Sequence, residues 1–329
     1  MSESDLFNAE GPDSRSARSV VVLGATGFVG RHVCRAFLAT GARVLGISRT
    51  ASDAGFPTLP LDLSDAAPEA LAAVLAAERA DVVVNAAGAV WGVTDTQLRE
   101  ANVELTHRLI AALASLERRP RLVHLGSVHE YGQTARGIGI TEDLRPEPVN
   151  PYGRSKLLGS EAVLEAARDG SVDAVVLRIV NVYGPESPRG SLLGSIAGHL
   201  AAVSRARAAG AREPVLTLSP LRAHRDFVDV RDVADAVVAA AGAVLDGTGA
   251  EQRLINIGCG KALDVRHIVD RLIALSGLES AVVEERADPG PRGDVEWQQV
   301  DISRAHRLLA WQPVRDPDQS LGDLLATAL

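Results

Sequence analysis

The segment Asn150-Pro151-Tyr152-Gly153-Arg154-Ser155-Lys156 carries a phenol and an ammonium four residues apart. Asn150 suits a helix N-cap and Pro151 the first helical position, so the spacing predicts Tyr152 and Lys156 on one face of a helix's opening turns. A free phenol ionises near ~10, and work as an acid or base near neutrality calls for a fall of about three units, roughly 4 kcal/mol. A neighbouring ammonium and a helix N-terminus both act in that direction. Such a tyrosine can protonate an alkoxide formed when hydride adds to a carbonyl. The alternative reading is an ordinary exposed helix start.

Hydride needs a donor, and a second segment offers a place for one. Gly24, Gly27 and Gly30 follow a β-branched run and open a helix. The turn they form with Thr26, Phe28 and Val29 lets backbone N–H groups and the helix N-terminus approach a pyrophosphate. A dinucleotide is the expected ligand, with an unliganded strand-to-helix turn as the alternative. The next strand ends in Ser48-Arg49, where NAD-specific proteins place an acidic side chain. A hydroxyl beside a guanidinium suits a 2′-phosphate, which favours NADPH over NADH. Arg49 can also be read as a solvated loop residue.

These residues need a scaffold that brings strand ends and helix starts together. From Val20 onward, apolar β-branched runs alternate with Ala- and Leu-rich segments at helical spacing. Strands are expected at Val20–Leu23, Arg43–Ile47, Val82–Asn85, Arg121–Leu125 and Ala174–Ile179. Helices are expected at Gly30–Ala39, Glu69–Glu78, Asn102–Leu116 and Tyr152–Ala167. This order predicts an α/β fold, a Rossmann-type doubly wound parallel sheet buried on both faces. After Ile179 the pattern loosens. Gly, Pro and Arg are frequent between Gly184 and Arg225, a strand or turn is expected near Phe227–Val230, helices at Asp232–Val244 and Val265–Ser276, and an irregular tail around Trp297–Pro313. The expected division is a polar segment 1–18 without order, a dinucleotide-binding domain of 19–180 plus 227–257, and a smaller discontinuous substrate lobe of 181–226 plus 258–329.

Composition narrows the function classes. The chain has 329 residues and a formal charge of −8 with no basic run, which argues against nucleic acid as a partner. The opening lacks the apolar core of a signal peptide and no stretch reads as a membrane span, so a cytoplasmic protein is expected. Two cysteines and eight dispersed histidines predict neither a disulfide framework nor a metal site, and Cys34 is expected to pack as a small apolar residue on a helix.

Further motifs accompany these: Asp62-Leu63, "NAAG" at 85–88, "ANV" at 101–103, Ser127, "NVYGP" at 181–185, "HRDFVDVRDVA" at 224–234 and "RGDVEWQQVDISRA" at 292–305. With the glycine turn and the Tyr152–Lys156 pair, they resemble the extended short-chain dehydrogenase/reductase family of nucleotide-sugar epimerases, dehydratases and ketoreductases. The resemblance implies that Asp62 binds adenine, that Asn85, Ala86, Ala87 and Gly88 line the cofactor, and that Lys156 also touches the nicotinamide ribose. It implies a proton-relay role for Asn102, whose alternative is a helix N-cap. It assigns Ser127 to the substrate carbonyl and Tyr152 to general-acid catalysis. Asn181, Arg225 and Arg292 would bind the nucleotide diphosphate or sugar, each arginine being readable alone as a surface ion-pair residue. His129 and Trp91 are expected to shape the sugar pocket, the alternatives being a neutral structural histidine and a packing indole. The last motif implies a helix start of the form D-x-S-x-A at Asp301.

Family dehydratases carry an Asp-Glu pair directly after the Ser/Thr. Here the string is "SVHEYG", with Val128 and His129 at those positions and Glu130 one place late, which disfavours dehydration. The strings around residues 85–103 and 124–132 are similar to 4-ketoreductases acting on dTDP-4-keto-6-deoxyhexoses in antibiotic sugar pathways. The resemblance therefore implies NADPH-dependent reduction at C4 of a dTDP-linked sugar by a homodimer built on the 102–116 and 152–167 helices. A 4-epimerase or dehydratase with tightly held NAD, and a non-enzymatic dinucleotide sensor, are the rival readings.

Overall fold

The computed structural model describes residues 17–50, 55–90, 92–218, 220–245, 249–278, 283–285 and 295–328. Trp91, Arg292 and the expected disordered stretch up to residue 16 lie outside the described residues. Six strands come first: β1 (Ser19–Leu23), β2 (Arg43–Ser48), β3 (Thr58–Pro60), β4 (Val82–Asn85), β5 (Arg121–Ser127) and β6 (Ala174–Ile179). Short β7 (Asn181–Tyr183), β8 (Leu216–Leu218) and β9 (His224–Asp229) precede β10 (Leu254–Ile257), and β11 (Ala262–Asp264), β12 (Val283–Glu285) and β13 (Trp297–Gln298) follow. The main sheet has seven strands in the order β10-β6-β5-β4-β1-β2-β3, with every neighbouring pair parallel. The order reverses between β1 and β4, which opens a crevice at their carboxyl ends.

The helices are α1 (Phe28–Ala39), α2 (Pro68–Ala77), α3 (Asp95–Arg99), α4 (Leu105–Ala114), α5 (Pro151–Arg168), α6 (Leu192–Ala208), α7 (Val230–Gly242), α8 (Val265–Leu275), α9 (Ser303–Leu309) and α10 (Pro317–Ala328). Successive residues of each strand feed opposite cores. Val20, Val22, Val84 and Val123 pack with α1 and α7, whereas Val21, Val83, Leu122 and Val176 pack with α2, α4 and α5. Burial on both faces is why these strands read as unbroken apolar runs. Cys34 lies in the first core, fully buried on α1.

A third core, around Ile196, Leu200, Val269, Leu272, Leu321 and Leu324, joins α6, α8 and α10. Beside it, β9 pairs parallel with β7 and β13 and antiparallel with β11. The fully buried Asp226 organises this junction by accepting from the backbone N–H groups of Cys259, Gly260 and Val300. A second tie comes from Glu186, whose carboxylate meets Arg31, His32 and Arg35 of α1 while its own N–H donates to Thr327 of α10.

Three regions depart from the sequence expectation. The third helical stretch begins not at Asn102 but at Asp95, because Thr94 and Gln97 form a reciprocal capping box. Asn102 then falls in a π-helical turn, Glu100–Glu104, between α3 and α4, so the N-cap alternative for it does not hold. The 17-residue α6 occupies a stretch whose glycines and arginines masked its apolar face, and β3, β10 and α10 went unread. The tail around Trp297–Pro313 contains β13 and α9. Asp301 accepts from Ser303 N–H at the start of α9, as the D-x-S motif implied. Among the described residues no helix is long and apolar enough to cross a membrane.

Asp226→Ala would take from the N–H groups of Cys259, Gly260 and Val300 the fully buried carboxylate that gathers them. Denaturant unfolding is expected to show a loss of about 3 kcal/mol or more.

Candidate active site

The glycine turn follows β1 at the crevice. Gly24 has φ +74, and a Cβ there would stand 2.8 Å from the Ala86 carbonyl oxygen, so this turn and the β4 exit are in backbone contact. A Cβ at Gly30 would stand 2.1 Å from the Gly24 carbonyl, so only glycine lets α1 begin this close to β1. Gly27 is the N-cap of α1, and neither a capping side chain nor an acidic residue occupies the first turn. The opening N–H groups and the positive end of the helix dipole are thus available to an anion. This cradle fits the diphosphate of a dinucleotide, and Thr26, Phe28 and Val29 form its rim. Arg31, which the sequence reading passed over, donates to the Thr26 carbonyl at 2.7 Å and to that of Gly27 at 3.3 Å, bracing the turn.

The other cofactor candidates line the same end of the sheet with different degrees of access. Ser48 is buried and donates to the Thr50 carbonyl, closing the end of β2, while Arg49 is exposed beside it. Asp62 is exposed and accepts from Ser64 N–H and Oγ, which hold its carboxyl below the usual range with help from Arg49; Leu63 is buried next to it. Asn85 is buried, its amide nitrogen 3.1 Å from His124 Nδ1, whereas Ala86 and Ala87 are half-buried and Gly88 exposed. Asn102 is buried and clamps the loop after β4, accepting from Ala89 N–H and donating to the Ala89 carbonyl and to Ser155 Oγ at 2.9 Å. It thereby joins that loop to α5.

Ser127 ends β5 close enough to Tyr152, in the first turn of α5, for its hydroxyl to favour ionisation of the phenol. Asn150 caps α5 by accepting from Gly153 N–H at 2.7 Å, with Pro151 in the first turn, so the local sequence sets where Tyr152 emerges. The His129 ring stands edge-on to the Tyr152 ring at 5.7 Å. Lys156 is buried and donates to the Leu125 carbonyl at 2.5 Å.

The electrostatics correct one expectation. Lys156 does not lower the Tyr152 pKa: burial pushes the phenol up to about 12, the Ser127 hydrogen bond opposing and the Glu130 charge adding to the rise. Burial also lowers Lys156 from its ordinary value, with Glu130 opposing. The chain by itself thus holds Tyr152 as a protonated donor, the form that a carbonyl undergoing reduction requires.

Glu130 does not face this site as a dehydratase acid would. It is fully buried, accepting from Ser127 N–H at 2.8 Å and Ser160 Oγ at 2.9 Å, and it pairs with Arg178 at 2.6 Å. Arg178 on the central strand β6 was a signal in the sequence that went unused, since a charge inside an apolar parallel strand calls for a buried partner.

The substrate candidates are divided. Asn181 donates to the Asp226 carbonyl and to Gln298 Oε1, both at 3.0 Å, so its amide N–H groups bind the second sheet. Arg225 is half-buried on β9 and donates to the His224 carbonyl. Trp91 and Arg292 fall outside the described residues, and their expected contacts with them.

Residues 20–258 match the family model of the NAD dependent epimerase/dehydratase family. The chain is 43% identical over 315 residues to a dTDP-6-deoxy-L-talose 4-dehydrogenase (NAD(P)(+)) of Kitasatospora kifunensis, covering 95% of this chain and 96% of that protein. It is 27% identical to a GDP-6-deoxy-D-mannose reductase of Pseudomonas aeruginosa, covering 93% and 95% of the two chains. The solved structure of MoeE5 in complex with UDP-glucuronic acid and NAD is similar at a TM-score of 0.79 and 26% identity, covering 94% of this chain and 98% of that one.

Gly27→Asp separates helix stability from anion binding. Its carboxylate would cap α1, adding up to about 1 kcal/mol in thermal unfolding. The same charge would repel a diphosphate, and fluorescence titration is expected to show NAD(P)H affinity falling by about tenfold or more.

Proposed function

The chain belongs to the NAD-dependent epimerase/dehydratase family, and from that premise we infer that it reduces the C4 keto group of a dTDP-linked 4-keto-6-deoxyhexose with NADPH. It is an NAD(P)-dependent nucleotide-sugar oxidoreductase. The observation that supports the finer reading is the placing of Tyr152, in the Asn150-capped first turn of α5, beside Ser127 at the end of β5, with burial holding the phenol protonated. The inward turn of Glu130 supports reduction over dehydration, because it removes the nearest carboxylate from the reacting face.

When bound, NAD(P)H supplies the hydride. The uncapped start of α1 and the turn of Gly24, Thr26, Gly27, Phe28, Val29 and Gly30 would hold its diphosphate. Arg49 beside Ser48 supports a 2′-phosphate, and Asp62 with Leu63 stands where adenine would lie. Ser127 Oγ turns its hydrogen bond from the phenol to the substrate oxygen and polarises it, and Tyr152 gives its proton to that oxygen as negative charge develops. Lys156, fixed to the Leu125 carbonyl, stands one helical turn behind the phenol as a donor to the cofactor ribose. The second lobe, with Arg225 and Arg292, would take the nucleotide diphosphate. We further assign α4 and α5, where Leu158 is exposed, to the contact of a symmetric homodimer.

The test is incubation with dTDP-4-keto-6-deoxyglucose and either NADPH or NADH, following loss of reduced-nicotinamide absorbance and product configuration by NMR. Turnover with NADPH supports the reading, whereas interconversion of C4 epimers without added cofactor overturns it in favour of an epimerase. Tyr152→Phe should lower kcat by about a thousandfold with cofactor affinity retained. Arg49→Ala should raise the KM for NADPH by about tenfold and leave that for NADH unchanged.

A further inference from the structure

Beneath the Ser127–Tyr152 pair lies a buried ion pair that the reaction scheme does not use. Glu130 is fully buried and Arg178 is 2% exposed. One carboxylate oxygen accepts from Ser127 N–H and Ser160 Oγ, and the other from Arg178 Nε at 2.6 Å. The Arg178 guanidinium in turn lies 4.4 Å from the centre of the Tyr131 ring, and the Tyr131 hydroxyl donates to Asn256 at 2.8 Å. The three-residue turn Val128–Glu130 is thus closed at both ends: Ser127 Oγ accepts from His129 N–H while Glu130 grips the Ser127 amide. Gly126 makes the close approach possible, because a Cβ there would stand 2.7 Å from the Glu130 carboxylate.

We propose that Glu130 is a positioning residue: anchored by Arg178, it fixes Ser127 at the end of β5 and sets a buried negative charge behind Tyr152 and Lys156. This rests on the reading of Ser127 and Tyr152 as the groups that meet the substrate oxygen. A carboxylate offers Ser127 N–H an acceptor that a neutral side chain could also supply. Its charge does something further: it opposes ionisation of the phenol and favours the ammonium, and both effects hold the proton where reduction needs it. Burial is the larger cause of both shifts, and beside it Glu130 raises Tyr152 and opposes the fall of Lys156.

The charged and titratable groups around the pair are few among the described residues. On β5, His124 is held neutral, well below its ordinary value, by burial and by Lys156. The turn contributes His129 and Glu130, α5 contributes Tyr152 and Lys156, and β6 contributes Arg178, which faces Glu130 and Tyr131. Glu130 is the carboxylate within this set, so its removal leaves Lys156 and Arg178 as the charges and makes the surroundings of the phenol more positive.

The test uses Glu130→Gln, which keeps an acceptor for Ser127 N–H and removes the charge. The sequence has three tyrosines, so [13Cζ]tyrosine NMR of the full chain, with Tyr152→Phe for assignment, reads the phenol directly and without substrate. The Tyr152 resonance should titrate about one pH unit lower in Glu130→Gln than in the parent. The alkaline fall of kcat for reduction should move by the same amount, with the sugar KM changed by less than about twofold. Should the unpaired Arg178 prevent folding, Glu130→Gln/Arg178→Met removes the stranded cation, and a shift in the same direction but smaller is expected, because the cation lost with the carboxylate acted in the opposite sense. An unchanged Tyr152 titration in either folded variant overturns the proposal. A shifted titration in a protein that reduces no keto sugar would leave the proposal standing and sink the functional reading instead.

Discussion

The site depends on how closely helix α5 lies against the end of β5. Two positions without side chains allow it. A Cβ at residue 153 would stand 2.4 Å from the His129 carbonyl oxygen, and one at residue 159 would stand 2.5 Å from that of Asn102. Between them, Lys156 reaches across to the Leu125 carbonyl. These three contacts fix both the height and the rotation of α5, so the residue that emerges beside Ser127 is Tyr152 and no other. A helix one methyl group further out would leave the phenol without its hydroxyl partner.

Buried polar side chains under this contact bond to one another across neighbouring elements. The Glu130–Arg178 pair joins β5 to β6, and Asn102 joins the loop after β4 to α5. Buried ion pairs contribute little net stability, because removing two charges from water offsets most of their attraction. Their contribution here is to orientation: the first bond braces the end of β5 at Ser127, and the second braces the loop after β4 against α5. The segments around the third core are tied on by the same means. Asp226 gathers three backbone N–H groups, and Glu186 gathers three side chains of α1, so the helix that opens at the glycine turn also anchors those segments.

Much of this was legible in the residues. The valine runs of β1 and β4 and the leucines of β5 located these strands to within two residues at either end, since burial on both faces demands such runs. Asn150-Pro151 announced α5, and the glycines announced the turn. The dehydratase argument from "SVHEYG" also agrees with where Glu130 points. The misses have physical causes. The start at Asp95 hung on a reciprocal Thr94–Gln97 cap in a segment with little apolar periodicity. The face of α6 is diluted by glycines, and β10 is a four-residue strand whose partner lies far earlier in the chain. The ionisation of Tyr152 was misjudged because the spacing to Lys156 implied attraction, whereas desolvation of both groups is set by tertiary packing, which no local pattern reports.

The strand order has a consequence for how the molecule is made. Residue pairing along the outer edge of β6 is supplied by β10, which begins at Leu254. During synthesis the five strands from β3 to β5 and then β6 can assemble while that edge still presents bare N–H and carbonyl groups, for the time needed to add more than seventy residues at about 5–20 per second. A nascent chain therefore spends several seconds as an open template for strand pairing with its neighbours.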